Sequence, residues 1–225
     1  MSISGGRLGA VMATTARFLK ATDNSRPFKS HRYDVFGLKI DRSLTLFGRA
    51  PLNAWILLEA DSTVISYCER PLIVPDTKPK RLVDFWVRFR DRDELWILLR
   101  DGQLDGHADP QETIPAFATW AASNKMPIRL VKPFDPVERK TYLDNWGRII
   151  RELSANRRFV SPATVERVRQ CFCTPRPVAA LSGLFPDEDP TLLHTAALSL
   201  VHTGRLHCAD INEQLLGPSS ILEAV

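Results

Sequence analysis

The stretch RLVDFWVRFRDRDELWILLR, residues 81–100, decides how the chain folds. Two apolar runs, 81–89 and 95–99, flank the polar tip Arg90-Asp91-Arg92-Asp93-Glu94. Apolar runs of strand length around a short charged turn make an antiparallel hairpin the economical reading. Outward toward the C-terminus, residues 113–123 carry Ile114, Phe117, Ala118 and Ala121 at helical spacing, and Ile128–Val131 is a short apolar strand. Strand, helix and strand in this order make a crossover unit, which predicts a mixed sheet with helices on its faces.

Outward toward the N-terminus, residues 64–67 read as a short strand and residues 52–60 as a helix, with Pro51 placed in its first turn. Residues 32–47 alternate, with Tyr33, Val35, Leu38, Ile40, Leu44 and Leu46 apolar, and predict a strand or hairpin turning near Asp41. Residues 1–30 mix Gly, Ser, Thr and basic residues without a lasting period and read as a flexible basic arm. Beyond the hairpin, residues 137–153 predict an amphipathic helix with Tyr142, Trp146, Ile149, Ile150 and Leu153 inward and its arginines outward. From Ser161 the pattern changes to helical pieces at 162–171, 178–184 and 191–203, followed by Gly204-Arg205-Leu206-His207-Cys208. Three short helices and an extended tail predict a small helix-turn-helix or winged-helix-like module. The expected division is therefore an arm over 1–30, an α/β core over 31–158 and a C-terminal helical module over 159–225.

Composition narrows the function classes. The 225 residues are 44% hydrophobic and 25% charged, close to ordinary globular values, which argues against wholesale disorder. Residues 8–19 are interrupted by Arg17 and fall short of the ~20 apolar residues that span a bilayer. No signal peptide is legible, and four scattered cysteines are too few for a secreted disulfide framework, so a cytoplasmic, non-membrane protein is expected. Lys and Arg outnumber Asp and Glu by 30 to 26, a formal charge of +4. That excess points to an anionic partner, with Arg32, Arg148, Arg157 and Arg158 as the candidate DNA contacts. Cys171-x-Cys173 with His202, His207 and Cys208 offers zinc-ligand chemistry, but a spacing of one falls outside the usual two to four.

Three stretches carry a resemblance: Leu57-Leu58-Glu59-Ala60-Asp61 at a helix end, Cys68-Glu69-Arg70-Pro71 at a turn, and Val83-Asp84-Phe85 in the hairpin. Together they resemble the TnsA family of heteromeric transposases over roughly residues 30–153. The resemblance implies a restriction-endonuclease-like core that cuts DNA at transposon ends with Mg²⁺. It also implies a TnsB-type DDE transposase and an AAA ATPase regulator as partners. In that family a helix Glu, the hairpin Asp and an acid-or-amide-x-Lys hold the metal and orient water. The helix Glu falls on Pro51, the Asp on Asp84, the acid or amide on Leu98, and the Lys on Arg100. Asp84 is thus the one metal ligand retained, and a lone carboxylate holds Mg²⁺ poorly while Arg does not replace a compact Lys charge.

Three functions follow as expectations. The first is a TnsA-like subunit that binds DNA and partner transposase with reduced or absent cleavage. The second is an active 5′-end-nicking endonuclease using Mg²⁺ and a relocated acid, Glu94 or Glu59. The third is a stand-alone DNA-binding regulator whose C-terminal module reads a site. Asp84 has a plainer role available in each, as a structural partner of Arg81 or Arg100.

Overall fold

A computed structural model describes residues 17–74, 81–99, 115–132 and 137–225. Strands β1 (Arg32–Gly37) and β2 (Arg42–Phe47) form an antiparallel hairpin that turns at Asp41, where φ is 50°. Helix α1 (Arg49–Ala60) follows, with Pro51 in its first turn as expected. The central sheet is built from β3 (Ser66–Glu69), β6 (Phe85–Arg88), β7 (Asp93–Leu98) and β8 (Ile128–Val131), in the order β3-β6-β7-β8. Neighbours are antiparallel except β7 and β8, which run parallel. Between them lies α2 (Pro115–Ser123), the crossover helix expected from a parallel connection. A small ladder of β4 (Ile73–Val74) and β5 (Arg81–Leu82) precedes β6.

Period-two alternation sorts the sheet into two faces. Cys68, Trp86, Leu95 and Ile97 pack with Phe117 and Ala121 of α2 and with Met126. Tyr67, Phe85, Val87 and Trp96 join a second, larger cluster with Ala54, Trp55 and Leu58 of α1 and with helix α3 (Lys140–Asn156). The chain is thus an α/β protein with a mixed sheet covered by helices. No helix among the described residues is long and apolar enough to cross a membrane.

After a short 3-10 turn at Arg157–Phe159 come α4 (Pro162–Cys171), β9 (Arg176–Pro177), α5 (Ala180–Leu184), α6 (Pro190–His202), β10 (Leu206–His207) and β11 (Ile221–Ala224). Their three strands form an antiparallel sheet in the order β10-β11-β9. Local chemistry sets the helix ends: Ser161 and Asp189 cap α4 and α6 by accepting from Thr164 N at 3.0 Å and Thr191 N at 2.8 Å, each with proline next. Gly204, at φ 70°, turns the chain after α6 and presses so close to Ser62 that a side chain would collide. The larger cluster runs without a break from the sheet through α1 and α3 into α4 and α6.

Several expectations shift. The strand expected over 64–67 starts at Ser66, and α3 starts at Lys140. The helix expected over 178–184 is confined to Ala180–Leu184, because Val178 N and Ala179 N bond to Ser220 O and Pro218 O across the module. Residues 17–30 do not lead away as a free arm. Phe18 stands edge-on to Trp86 at 5.6 Å, Thr22 donates to the Arg70 and Pro71 carbonyls at 2.9 and 2.6 Å, and Arg17 bonds Asn124 at 3.2 Å. Residues 1–16 lie outside the described residues.

Candidate functional site

The hairpin β6–β7 does bring Asp84 beside Leu98. Asp84 sits just ahead of β6, where its amide donates to Trp96 O at 3.0 Å and its carbonyl accepts from Arg70 N at 2.8 Å. Its Oδ2 accepts from the Leu98 amide at 2.7 Å. The carboxylate stands in for a strand carbonyl and adds one rung to the β6–β7 ladder where β6 has not yet begun. This charge-assisted bond to backbone is a structural use of the residue. Leu98 leans into the larger apolar cluster. Pro51 is half-buried in α1 and has no donor or carboxylate to offer. Arg100 lies outside the described residues, as does any pairing it makes with Asp84.

Neither relocated acid is available to Asp84's side of the hairpin. Glu94, buried on β7, accepts from Trp96 Nε1 at 2.9 Å and Arg92 Nε at 2.7 Å, with Arg129 Nη1 at 3.7 Å. Glu59 is fully buried, and its carboxylate accepts from the Tyr67 hydroxyl and lies 2.9 Å from His202 Nε2. Among the described residues no group of three or more His, Cys, Asp or Glu side chains is placed to hold a metal. An aliphatic side chain at the second ligand position, a carboxylate on a backbone amide and two acids engaged elsewhere do not fit Mg²⁺ held by several carboxylates.

Glu59 instead anchors a buried polar network that the sequence pattern does not reveal. Trp55 Nε1 donates to the Tyr67 hydroxyl at 2.7 Å, which donates in turn to Glu59. Lys39, from the β1–β2 turn, donates through Nζ to Leu58 O at 2.7 Å and to Asp61 O, the carbonyl end of α1. Burial pushes the Lys39 ammonium down to about 8, against the opposing pull of Glu59 and Asp61. Burial, then the charge of Glu59, pushes the Tyr67 phenol well above its ordinary range, so it stays a donor. Gly37 is where the hairpin passes this hydroxyl, and a methyl group there would run into it and Ile40. The network joins the hairpin, α1, the sheet and α6. The one sequence signal for it is a glutamate in the otherwise apolar run Trp55 to Ala60.

No family model matches the chain, and no curated protein does.

The four arginines expected at DNA differ in how they are held. Arg148 is exposed and donates to Leu216 O at 2.9 Å, at the edge of the β10–β11 loop. Arg157 bonds Leu38 O at 3.3 Å and Asp41, and lies over the Phe36 ring at 5.5 Å. Arg32 is exposed beside Asp34 at 3.0 Å, and Arg158 is exposed over Phe159 at 4.7 Å. His202, one of the zinc candidates, is spent on Glu59. Cys68 is a buried thiol pushed up to about 12 by burial and by Glu69, whose carboxylate is gripped by Arg42 at 2.8 and 2.5 Å.

The C-terminal module turns its elements inward. Helix α6 buries Leu193, Ala196, Ala197, Leu198, Leu200 and Val201 and contains no Lys or Arg. Its two histidines face glutamates of the core, His194 with Glu152 at 2.5 Å and His202 with Glu59. The β10–β11 loop is held by Asn145 of α3, which donates to Ile211 O and Gln214 O at 2.8 and 2.7 Å and accepts from Leu216 N at 2.8 Å.

Proposed function

We propose that the chain is a TnsA-like subunit of a heteromeric DNA transposase. In this reading it binds DNA and its partner transposase at transposon ends and has lost strand cleavage. The observation that carries the reading is the juxtaposition of Asp84 with Leu98 on neighbouring strands. In this reading the hairpin is that of a restriction-endonuclease-like core, with an aliphatic residue where the second ligand would belong and the remaining carboxylate bonded to backbone. The β3-β6-β7-β8 order and its crossover helix are compatible with that fold. The helix–strand–helix–helix–strand–strand order at the C-terminus is compatible with a winged-helix-like module, with α6 and the β10–β11 loop engaged by the core.

The test is reconstitution with a TnsB-type DDE transposase and an AAA ATPase on end-containing DNA. Co-purification with that transposase and no 5′-end nicks in Mg²⁺ or Mn²⁺ are expected. Asp84→Asn keeps an acceptor for the Leu98 amide and should leave assembly intact, whereas Asp84→Ala loses about 1–3 kcal/mol of stability. Metal-dependent nicks abolished by Asp84→Asn would overturn the loss of cleavage, and failure to associate with the transposase would overturn the family reading.

A further inference from the structure

Several exposed cations lie close together around the starts of β1 and α1. Residues 23–34 and 48–50 contain Arg26, Lys29, Arg32 and Arg49 against two acids, Asp23 and Asp34, of which Asp34 pairs with Arg32 at 3.0 Å. Backbone bonds draw them together. Gly48 N donates to His31 O at 2.8 Å, which sets Arg49 beside the start of β1, and Arg32 pairs across from Phe47. Among the described residues Arg26, Lys29 and Arg49 make no ion pair with a carboxylate.

At the centre is a braced turn. Ser30 N donates to Pro27 O at 3.1 Å, and Arg26 Nε ties down Ser30 O at 2.8 Å. Lys29 is held at φ 59°, a left-handed conformation that a lysine keeps only where its surroundings impose it. The turn displays Phe28 at its tip, 89% exposed, with the Lys29 ammonium 5.1 Å from its ring. A large apolar ring in water amid cations has no internal packing role.

The loop also has a fixed position in the fold. Arg70 donates to Ser25 O at 3.0 Å through Nη1 while its own amide bonds Asp84 O. The turn therefore bridges from the Asp84 end of the hairpin to the first turn of α1, the two sides of the degenerate site.

We infer that this turn and the start of α1 form a nucleic-acid contact surface, in which Arg26, Lys29, Arg32 and Arg49 take backbone phosphates and Phe28 stacks on an unpaired base. Aromatic stacking interleaved with cations is how proteins hold single-stranded segments. The inference rests on the DNA-binding reading above and adds the site and the form of DNA.

The test is fluorescence anisotropy of the full chain on a blunt duplex and on the same duplex carrying a single-stranded 5′ overhang, each over a salt series. Wild type should bind the overhang substrate more tightly. Lys29→Ala with Arg49→Ala should weaken both complexes and lower the slope of log affinity against log salt by about two. Phe28→Ala should weaken the overhang complex about tenfold and leave the blunt one unchanged. The exposed Arg176→Ala on β9 should change neither. If wild type binds DNA and the Lys29 and Arg49 variant binds as well with the same slope, this surface is overturned while DNA binding stands. An equal loss in Arg176→Ala would overturn it in the same way. A wild type that binds no DNA would overturn both readings. An equal loss on both substrates for Phe28→Ala would overturn the stacking role.

Discussion

Tyr67→Phe removes one oxygen from the centre of the molecule, and its cost can be worked from the network. The hydroxyl is at once the acceptor for Trp55 Nε1 at 2.7 Å and a donor to Glu59. Without it, the buried Trp55 N–H has no partner, a loss of about 1–3 kcal/mol. Glu59 loses one donor but keeps His202 Nε2 at 2.9 Å, so its share falls at the low end of the same range. The two add to roughly 3 kcal/mol, a large fraction of the ~5–15 kcal/mol that holds a typical domain together. For a chain of this size the melting temperature should fall by roughly 6–12 °C. Guanidinium unfolding reads the same quantity, with the m-value checking that the unfolded state is unchanged. A loss under about 0.5 kcal/mol at constant m would refute the reasoning, because a hydroxyl that cheap to remove is not closing a buried network.

Two further consequences concern the same scaffold. Asn145→Ala strips partners from Ile211 O, Gln214 O and Leu216 N together, so the β10–β11 loop should lose hydrogen-exchange protection at Leu216 while β6 and β7 keep theirs; unchanged exchange would mean that the loop is held by its apolar contacts instead. Lys39 gives a pH signature. Its proton leaves the folded state at about 8 and the unfolded one near the ordinary 10.5, so between those values the unfolded chain binds more protons and stability rises with pH. Relative to Lys39→Met, wild type should gain on the order of 3 kcal/mol from pH 7.5 to 10.5, and a flat difference across that window would show that the carbonyls of Leu58 and Asp61 fully repay the burial of the ammonium.

The hairpin and its crossover helix were legible because their signals are local. The charged tip between two apolar runs is one such signal. The alternation of Leu95 and Ile97 against Trp96, which fixes the two faces of β7, is another. Pro51 at a helix start and Ser161-Pro162 ahead of α4 are local in the same sense. The pairings β9–β11 and β4–β5 were not legible, since two-residue strands carry no period, and β11 lies far along the chain from β9. The candidate site divides in the same way. That Asp84 and Leu98 would be neighbours follows from hairpin register. That the carboxylate would be bonded to Leu98's amide, or Arg148 turned toward Leu216, depends on tertiary approach, which residue type does not encode.

The placement of α6 bears on which part of the protein can meet DNA. For a module of this strand and helix order to read a groove, α6 would have to present its side chains outward. Freeing it would uncover Leu193, Leu198, Leu200 and Val201, each buried at 7% exposure or less. At about 1.5–3 kcal/mol for each large aliphatic side chain, that exposure alone approaches the whole stability of a typical domain. The contacts of His194 with Glu152 and of His202 with Glu59 would be lost as well. Wholesale release of α6 would therefore approach unfolding, and the helix carries no Lys or Arg to draw phosphate to its outer face. Exposed cations lie on the braced turn and the first residue of α1, as they do at Arg148 and Arg151 of α3. The proposed DNA contact thus draws on the braced turn tied to Arg70, while the C-terminal module packs its apolar side on the core.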